Sequence, residues 1–215
     1  MSIISLNAPA FRRDAGLVLL ATLPFFLNDF VFLQTKTALA WLAADYGSKL
    51  LALGIVFGVA PIRRALSGTL ALKRPAWETA ILALLAWAFI VGVDHFFRAV
   101  VPIEVEAMAL FKYPKLASPV LYWTDVTYGL LLTAISEELV FRGVFAGLLA
   151  RYFTGEAALA LASAVLFASV HWSHGLTAMI VAFLAGLALM ALYRRTGSLL
   201  PAMAAHYLVD LWDFA

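Results

Sequence analysis

The amino-acid sequence predicts an all-α fold, a polytopic bundle of transmembrane helices with about seven spans. Hydrophobic residues make up 64% of the chain and charged residues only 13%, and the mean hydropathy is +0.94. Soluble domains are about half apolar and about a quarter charged. The apolar residues also fall into stretches of roughly 20, the length of a membrane-spanning helix. The chain therefore has more apolar side chain than a soluble core could bury, and lipid is the expected solvent.

The predicted spans are the apolar stretches that lie between clusters of charge. They fall at about 15–34, 46–62, 77–100, 121–150, 157–173, 176–193 and 198–213. A loop on the outer side, at about 102–119, separates the first three spans from the last four. Because the spans use most of the 215 residues, we expect a single membrane domain over 1–215 and no sizeable soluble domain.

The positions of lysine and arginine predict how the bundle is oriented. With the N-terminus in the cytoplasm, more of these residues face the cytoplasm than the outside, as the positive-inside rule requires. The cytoplasmic set is Arg12, Arg13, Arg63, Arg64, Lys73, Arg74, Arg151, Arg194 and Arg195, and the outer set is Lys36, Lys49, Arg98, Lys112 and Lys115. We expect a multi-pass protein of a bacterial inner membrane, with the N-terminus inside and the C-terminus outside. Since the basic residues lie at the ends of spans, no nucleic-acid partner is expected.

The middle of the fourth predicted span contains Glu137, Glu138 and Arg142. A charge in the hydrocarbon region costs roughly 2.5–3.5 kcal/mol on insertion scales, so such residues face protein or water and usually have a function. Glu138 and Arg142 are four residues apart on one helix face and can neutralise each other. Glu137 is turned by about 100°, so its carboxylate need not share that arginine. A structural ion-pair network is the alternative interpretation of these three residues.

Histidines also occur in the fifth and seventh spans. His171 lies near the end of the fifth span, and His206 and Asp210 share one face of the seventh. Measured from the cytoplasmic ends of their helices, Glu137, His171 and His206 lie at heights of roughly 21, 22 and 16 Å, at about 1.5 Å per residue. Carboxylates and imidazoles that converge at one depth in an apolar bundle predict a functional site in the outer half of the membrane.

The residue types of this site suit the activation of water. A carboxylate and an imidazole can deprotonate a water molecule, while donors from another helix stabilise the oxyanion that develops. The chain has no cysteine and no His-Glu-x-x-His, Gly-x-Ser-x-Gly or Gly-x-Gly-Asp motif. It therefore lacks the signatures of the other classes of intramembrane protease.

Three motifs in order resemble one family. Glu137-Glu138-x-x-x-Arg142, Phe167-x-x-x-His171 and His206-x-x-x-Asp210 are similar to the pattern of the CPBP family, the CAAX proteases and bacteriocin-processing enzymes, also called ABI. The resemblance covers about 120–213. It implies a catalytic core of four helices within 119–215, preceded by N-terminal helices and the outer loop in 1–118.

The resemblance also implies a role for each site residue. Glu137 would be the general base that activates water, with help from His171. Glu138 and Arg142 would form an ion pair that orients the site, and His206 would donate to the oxyanion. Asp210 departs from the family pattern, in which asparagine is common at this position. An ionised Asp210 would repel an oxyanion, so it is protonated, orients His206 or binds a metal.

Three functions stay open at this point. The first is an intramembrane endopeptidase without a metal, which cleaves a membrane-anchored protein near the membrane-proximal part of its C-terminal region. The second is the same protease with a divalent ion such as zinc held by Glu137, His171, His206 and Asp210. The third is a membrane protein without enzyme activity, of the immunity or transport type, whose cluster relays protons or ions. The oligomeric state is not predicted.

Overall fold

The computed structural model describes residues 8–101, 109–110 and 114–214, and every regular element in these ranges is helical. The all-α prediction is therefore confirmed. Most of the predicted outer loop, with Lys112, lies outside the described residues. The N-terminal half contains α1 (Ala8–Phe32), α2 (Ala38–Gly58), the short α3 (Ala60–Ala65) and α4 (Ala76–Val100).

The C-terminal half begins with one long α-helical segment that is interrupted twice by a π-helical turn. It consists of α5 (Pro119–Thr124), a π-helical turn π1 (Asp125–Gly129), α6 (Leu130–Glu137), a second π-helical turn π2 (Glu138–Val144) and α7 (Phe145–Leu149), followed by a 3₁₀ turn at Ala150–Tyr152. After it come α8 (Glu156–Ser169), a 3₁₀ turn at Trp172–His174, α9 (Leu176–Thr196) and α10 (Leu200–Phe214).

Within the described residues, four helices are individually long and apolar enough to cross a membrane, namely α1, α2, α4 and α9. The 14 residues of α8 form a shorter apolar helix. Seven spans are consistent with this arrangement, and the exact number stays a prediction. The second span begins earlier than predicted because the hydroxyl of Thr37 caps the first turn of α2 by accepting a hydrogen bond from the Ala40 amide at 3.2 Å.

One prediction about charge was wrong. Lys49 was counted as a residue at the outer end of a span, but it lies inside α2, is buried, and forms an ion pair with Asp45 one turn earlier. The predicted span began at residue 46, whereas α2 begins at Ala38, so Lys49 appeared to lie near the outer end of the span instead of in the middle of the helix. Removing Lys49 from the outer set leaves the lysine and arginine bias in its predicted direction.

Most of the predicted cytoplasmic basic residues gather at one end of the bundle. Arg151 forms an ion pair with Asp14 near the start of α1, and the Tyr152 hydroxyl donates to the same carboxylate at 2.9 Å. Arg194 pairs with Glu156 at 2.5 Å, which joins the end of α9 to the start of α8. These contacts place the N-terminus of α1, the loop before α8 and the end of α9 at the same level, as the charge pattern predicted.

The core of the bundle is closely packed where small residues and aromatic rings meet. A Cβ atom added to Gly186 of α9 would lie 3.0 Å from the Cα atom of Ala164 in α8, so these two helices approach closely. The ring of Phe141 in π2 lies between those of Phe25 and Phe167, at centroid distances of 5.4 and 5.2 Å. The second π turn is thereby held between α1 and α8.

Candidate active site

The motif Glu-Glu-x-x-x-Arg lies where α6 passes into π2. Glu137 is the last residue of α6, and the π turn contains both Glu138 and Arg142. All seven residues of π2 are buried, and single π-helical turns inside α-helices are frequent at functional sites. The Ser163 hydroxyl of α8 donates to the Phe141 carbonyl at 2.6 Å, which gives a carbonyl of the widened turn a partner on the neighbouring helix. The local winding therefore sets the directions of the two glutamates.

Glu138 is the centre of a buried charge network. Its Oε1 atom lies 2.9 Å from Nη1 of Arg142 and 2.8 Å from Nδ1 of His206. The Glu138 and Arg142 side chains have no exposed surface. The Arg142 guanidinium also lies 4.2 Å from the centroid of the Phe167 ring, a cation–π contact. One carboxylate oxygen thus links α10 to π2, and both glutamate and arginine lie behind the site.

His206 presents its other nitrogen to two carboxylates. Nε2 lies 3.7 Å from Oε2 of Glu137 and 3.6 Å from Oδ1 of Asp210. Both distances exceed those of a direct hydrogen bond. Polar groups at such separations are commonly bridged by a water molecule. Oε2 of Glu137 and Oδ2 of Asp210 are buried without a hydrogen-bond partner among the described residues. The two carboxylates therefore face a shared space beside the His206 ring.

His171 lies just beyond the end of α8. Its Nδ1 atom is 2.9 Å from the Phe167 carbonyl oxygen. A carbonyl oxygen only accepts hydrogen bonds, so Nδ1 is the ring nitrogen that carries the proton. That assignment leaves Nε2 as the nitrogen able to accept a proton. The imidazole also stands edge-on to the Phe167 ring at a centroid distance of 4.8 Å. Phe167 thus contacts His171, Arg142 and His206 together.

A cavity of about 620 Å³ connects these groups, a volume typical of ligand sites. Its lining includes Glu137, His171, His206 and Asp210. Glu138 and Arg142 are not part of the lining. The structure therefore brings all six predicted site residues together and divides them into four that face the cavity and two that support it from behind.

Several polar residues of the N-terminal half also line the cavity, and the sequence motifs did not identify them. Asp29 comes from α1, Asp45 and Lys49 from α2, and Asp94 from α4. All four are buried. For Asp29 and Asp94, a carboxylate inside a predicted span was the available signal, but without a motif it did not separate the site from ordinary packing.

The described residues contain no group of three or more histidine, aspartate or glutamate side chains arranged to hold a metal ion. Glu137, His171, His206 and Asp210 share one cavity, but in this geometry they do not form a preformed ligand set. The zinc alternative stays a prediction that metal removal can test.

Comparison with known proteins agrees with the geometry. Residues 119–212 match a family model described as type II CAAX prenyl endopeptidase Rce1-like. This range contains all six predicted site residues, and its limits agree with the predicted 120–213, so the resemblance is confirmed. No curated protein and no solved structure is significantly similar to the chain.

Proposed function

We propose that this chain, whose residues 119–212 belong to the Rce1-like family of type II CAAX prenyl endopeptidases, is an intramembrane endopeptidase that uses water activated by Glu137. The observation that carries the proposal is the shared space in which Glu137, His206 and Asp210 meet. Oε2 of Glu137 lies there without a protein hydrogen-bond partner among the described residues. Such a carboxylate oxygen can accept a hydrogen bond from water and remove its proton.

His171 assists Glu137 in this mechanism. Its ring is fixed through Nδ1 to the Phe167 carbonyl, so the opposite nitrogen is the one free to exchange a proton. Both residues line the same cavity. After water attacks the carbonyl carbon of the scissile bond, a proton passes from this pair to the leaving amine, and the products are a carboxylic acid and an amine.

His206 stabilises the oxyanion. Glu138 anchors Nδ1 at 2.8 Å, and Arg142 compensates the charge of Glu138. A His206 ring that is protonated at both nitrogens donates Nδ1–H to Glu138 and Nε2–H to the oxyanion. Because Glu138 already holds the His206 ring in place, the Nε2–H donor needs little reorganisation during the reaction. Preorganised donors of this kind are a major source of oxyanion stabilisation in enzymes.

The substrate is a membrane-anchored protein that is cleaved near the membrane-proximal part of its C-terminal region. The cavity lining extends to Arg98 at the end of α4 and to Phe214 at the end of α10. These positions are opposite to the arginine-rich end formed around Arg151 and Arg194. With the N-terminus in the cytoplasm, the cavity then serves substrates whose cleavage site is on the outer side, and the reverse orientation would give a cytoplasmic CAAX-type site.

Co-expression tests this function. The protein is expressed with candidate membrane-anchored substrates, including one that ends in a prenylated CAAX sequence, and each is compared with the same pair carrying Glu137→Ala. We expect cleavage only with the wild-type chain and accumulation of the uncut substrate with the variant. A Glu137→Ala chain that supports normal cell function, with no uncut substrate accumulating, would rule out the peptidase.

Metal removal separates the two forms of the protease. The purified protein is treated with a strong chelator, passed through a desalting column and assayed again. We expect activity to survive, since the site uses Glu137 and two imidazoles. A loss of cleavage that added zinc restores would establish the metal-dependent alternative.

A further inference from the structure

The turn that carries His171 is held from outside the matched family segment. The Ser173 hydroxyl donates to Oδ2 of Asp29 at 2.6 Å, and both side chains are buried. Asp29 lies in the last two turns of α1, 90 residues before the start of the matched segment at residue 119. A charged side chain inside a spanning helix is costly and usually has a specific partner, and the Ser173 hydroxyl is one partner of Asp29.

Two further contacts hold the same turn. The ring of Phe30, next to Asp29, packs on Trp172 at a centroid distance of 4.9 Å. The Ser173 carbonyl accepts a hydrogen bond from the Leu110 amide at 2.8 Å. The turn is thus bounded on one side by α1 and on another by the loop that precedes α5.

The α-helical winding does not position this turn by itself. α8 ends at Ser169, two residues before His171, and the turn ends at Gly175, whose φ of +92° lies in a region that L side chains rarely adopt. Within the turn, the His171 and His174 backbones are joined by one hydrogen bond of 3.1 Å. The His171 imidazole is tied back to α8 through the Phe167 carbonyl at 2.9 Å, and the Asp29–Ser173 hydrogen bond fixes the part of the turn that follows His171.

We propose that Asp29 is a positioning residue for His171, which it holds in place through Ser173. The inference rests on the proposed function, because it assigns to α1 a part in the same reaction. Asp29 also lines the cavity, so a direct contact with substrate is the competing explanation. The two roles differ in the kinetic constant that they affect. A misplaced His171 lowers kcat, whereas a lost substrate contact raises KM.

Kinetics on four variants test the proposal. Asp29→Ala, Asp29→Asn, Ser173→Ala and the double Asp29→Ala/Ser173→Ala are assayed in proteoliposomes with a quenched fluorescent peptide that ends in a prenylated CAAX sequence. We expect each alanine variant to lower kcat by about 10- to 100-fold with little change in KM, since small displacements of catalytic groups have effects of this size. The double variant should be no worse than Asp29→Ala, because Asp29→Ala already removes the hydrogen bond to the Ser173 hydroxyl.

Asp29→Asn is the matched control, since its amide oxygen can still accept the Ser173 hydroxyl, and we expect it to retain most of kcat. An Asp29→Ala chain with raised KM and normal kcat would overturn the proposal in favour of a substrate contact. Equal damage from Asp29→Asn and Asp29→Ala, together with a harmless Ser173→Ala, would overturn it as well.

Cross-linking reports on the same contact without catalysis. The chain has no cysteine, so Phe30→Cys with Trp172→Cys gives one defined pair for a short bismaleimide. We expect efficient cross-linking, which Asp29→Ala reduces and Asp29→Asn preserves. Unchanged cross-linking in the Asp29→Ala background overturns the anchoring role whether or not the peptide is cleaved. If the Phe30→Cys/Trp172→Cys chain with Asp29 intact cross-links as expected but Glu137→Gln cleaves at the wild-type rate, the proposed function has failed and the anchor has not.

Discussion

Nδ1 of His206 lies 2.8 Å from Oε1 of Glu138, a residue 68 positions earlier in the chain. The same oxygen lies 2.9 Å from Nη1 of Arg142. This geometry gives the two adjacent glutamates different surroundings: Glu138 is enclosed by two basic groups behind the cavity, and Glu137 faces the cavity. A pair of identical residues can therefore divide support and chemistry between them.

The Glu138–Arg142 pair makes the first prediction. Glu138→Gln leaves the Arg142 guanidinium buried without a compensating charge, and breaking a buried pair in this way costs about 3–5 kcal/mol. We expect a large loss of stability, measured as thermal or denaturant unfolding of the protein in detergent micelles. The matched control is Glu156→Gln, which breaks the exposed pair with Arg194 and should have a much smaller effect.

Replacing both members of the buried pair distinguishes stability from activity. In Glu138→Gln/Arg142→Met no uncompensated charge remains, and such replacements are often neutral for folding. We expect the double variant to unfold near the wild-type midpoint and yet to cleave poorly, because the anchor of His206 has lost its charge. A double variant that is as unstable as Glu138→Gln would contradict the uncompensated charge of Arg142 as the cause of the instability.

Asp210 makes the second prediction. Its Oδ1 atom lies 3.6 Å from Nε2 of His206, in the space where the oxyanion would form. An asparagine there could still form a hydrogen bond without repelling the oxyanion, and we expect Asp210→Asn to retain activity in the peptide-cleavage assay. Asp210→Ala, which removes the polar group, should be less active. Inactive Asp210→Asn together with zinc-dependent wild-type cleavage would favour a charged or metal-binding role.

A close approach of two helices makes the third prediction. A Cβ atom added to Gly147 of α7 would lie 2.5 Å from the Ala65 carbonyl oxygen of α3 and 2.8 Å from its Cβ atom. Because the obstacle includes backbone, Gly147→Ala should destabilise the protein by about 1–3 kcal/mol, as overpacking does. Gly92→Ala is the control, since the space around that position in α4 is open. Equal unfolding midpoints for the two variants would contradict the close packing of α3 on α7.

Much of the site could be predicted from local patterns in the sequence. Glu138 and Arg142 were expected on one helix face, and a pair four residues apart still meets at 2.9 Å although the turn between them is π-helical. The common depth of Glu137, His171 and His206 was expected from the distance of each residue to the end of its helix. The three residues line one cavity, although the segment between Glu137 and Arg151 includes a π turn and a 3₁₀ turn, in which the rise per residue differs from that of an α-helix.

Other features depend on contacts between distant segments and could not be read from local patterns. Neither the π turn at Glu138–Val144 nor the bond from Ser173 to Asp29 has a signature in the adjacent residues. Lys49 was counted at the outer end of its span because a lone lysine resembles a flanking residue until its partner Asp45 is identified. The N-terminal helices contribute to the cavity through single polar residues, which periodicity alone cannot distinguish from packing.

The measurement that tests the central claim most directly is kcat/KM of Glu137→Gln for the prenylated peptide in proteoliposomes. The amide keeps the size of the side chain but cannot remove a proton from water, so we expect a loss of at least about 10²-fold, the lower range for general-base catalysis. The unfolding midpoint should stay close to that of the wild type, because Glu137 lies outside the Glu138–Arg142 pair. Cleavage by Glu137→Gln at the wild-type rate would contradict the assignment of Glu137 as the residue that activates water.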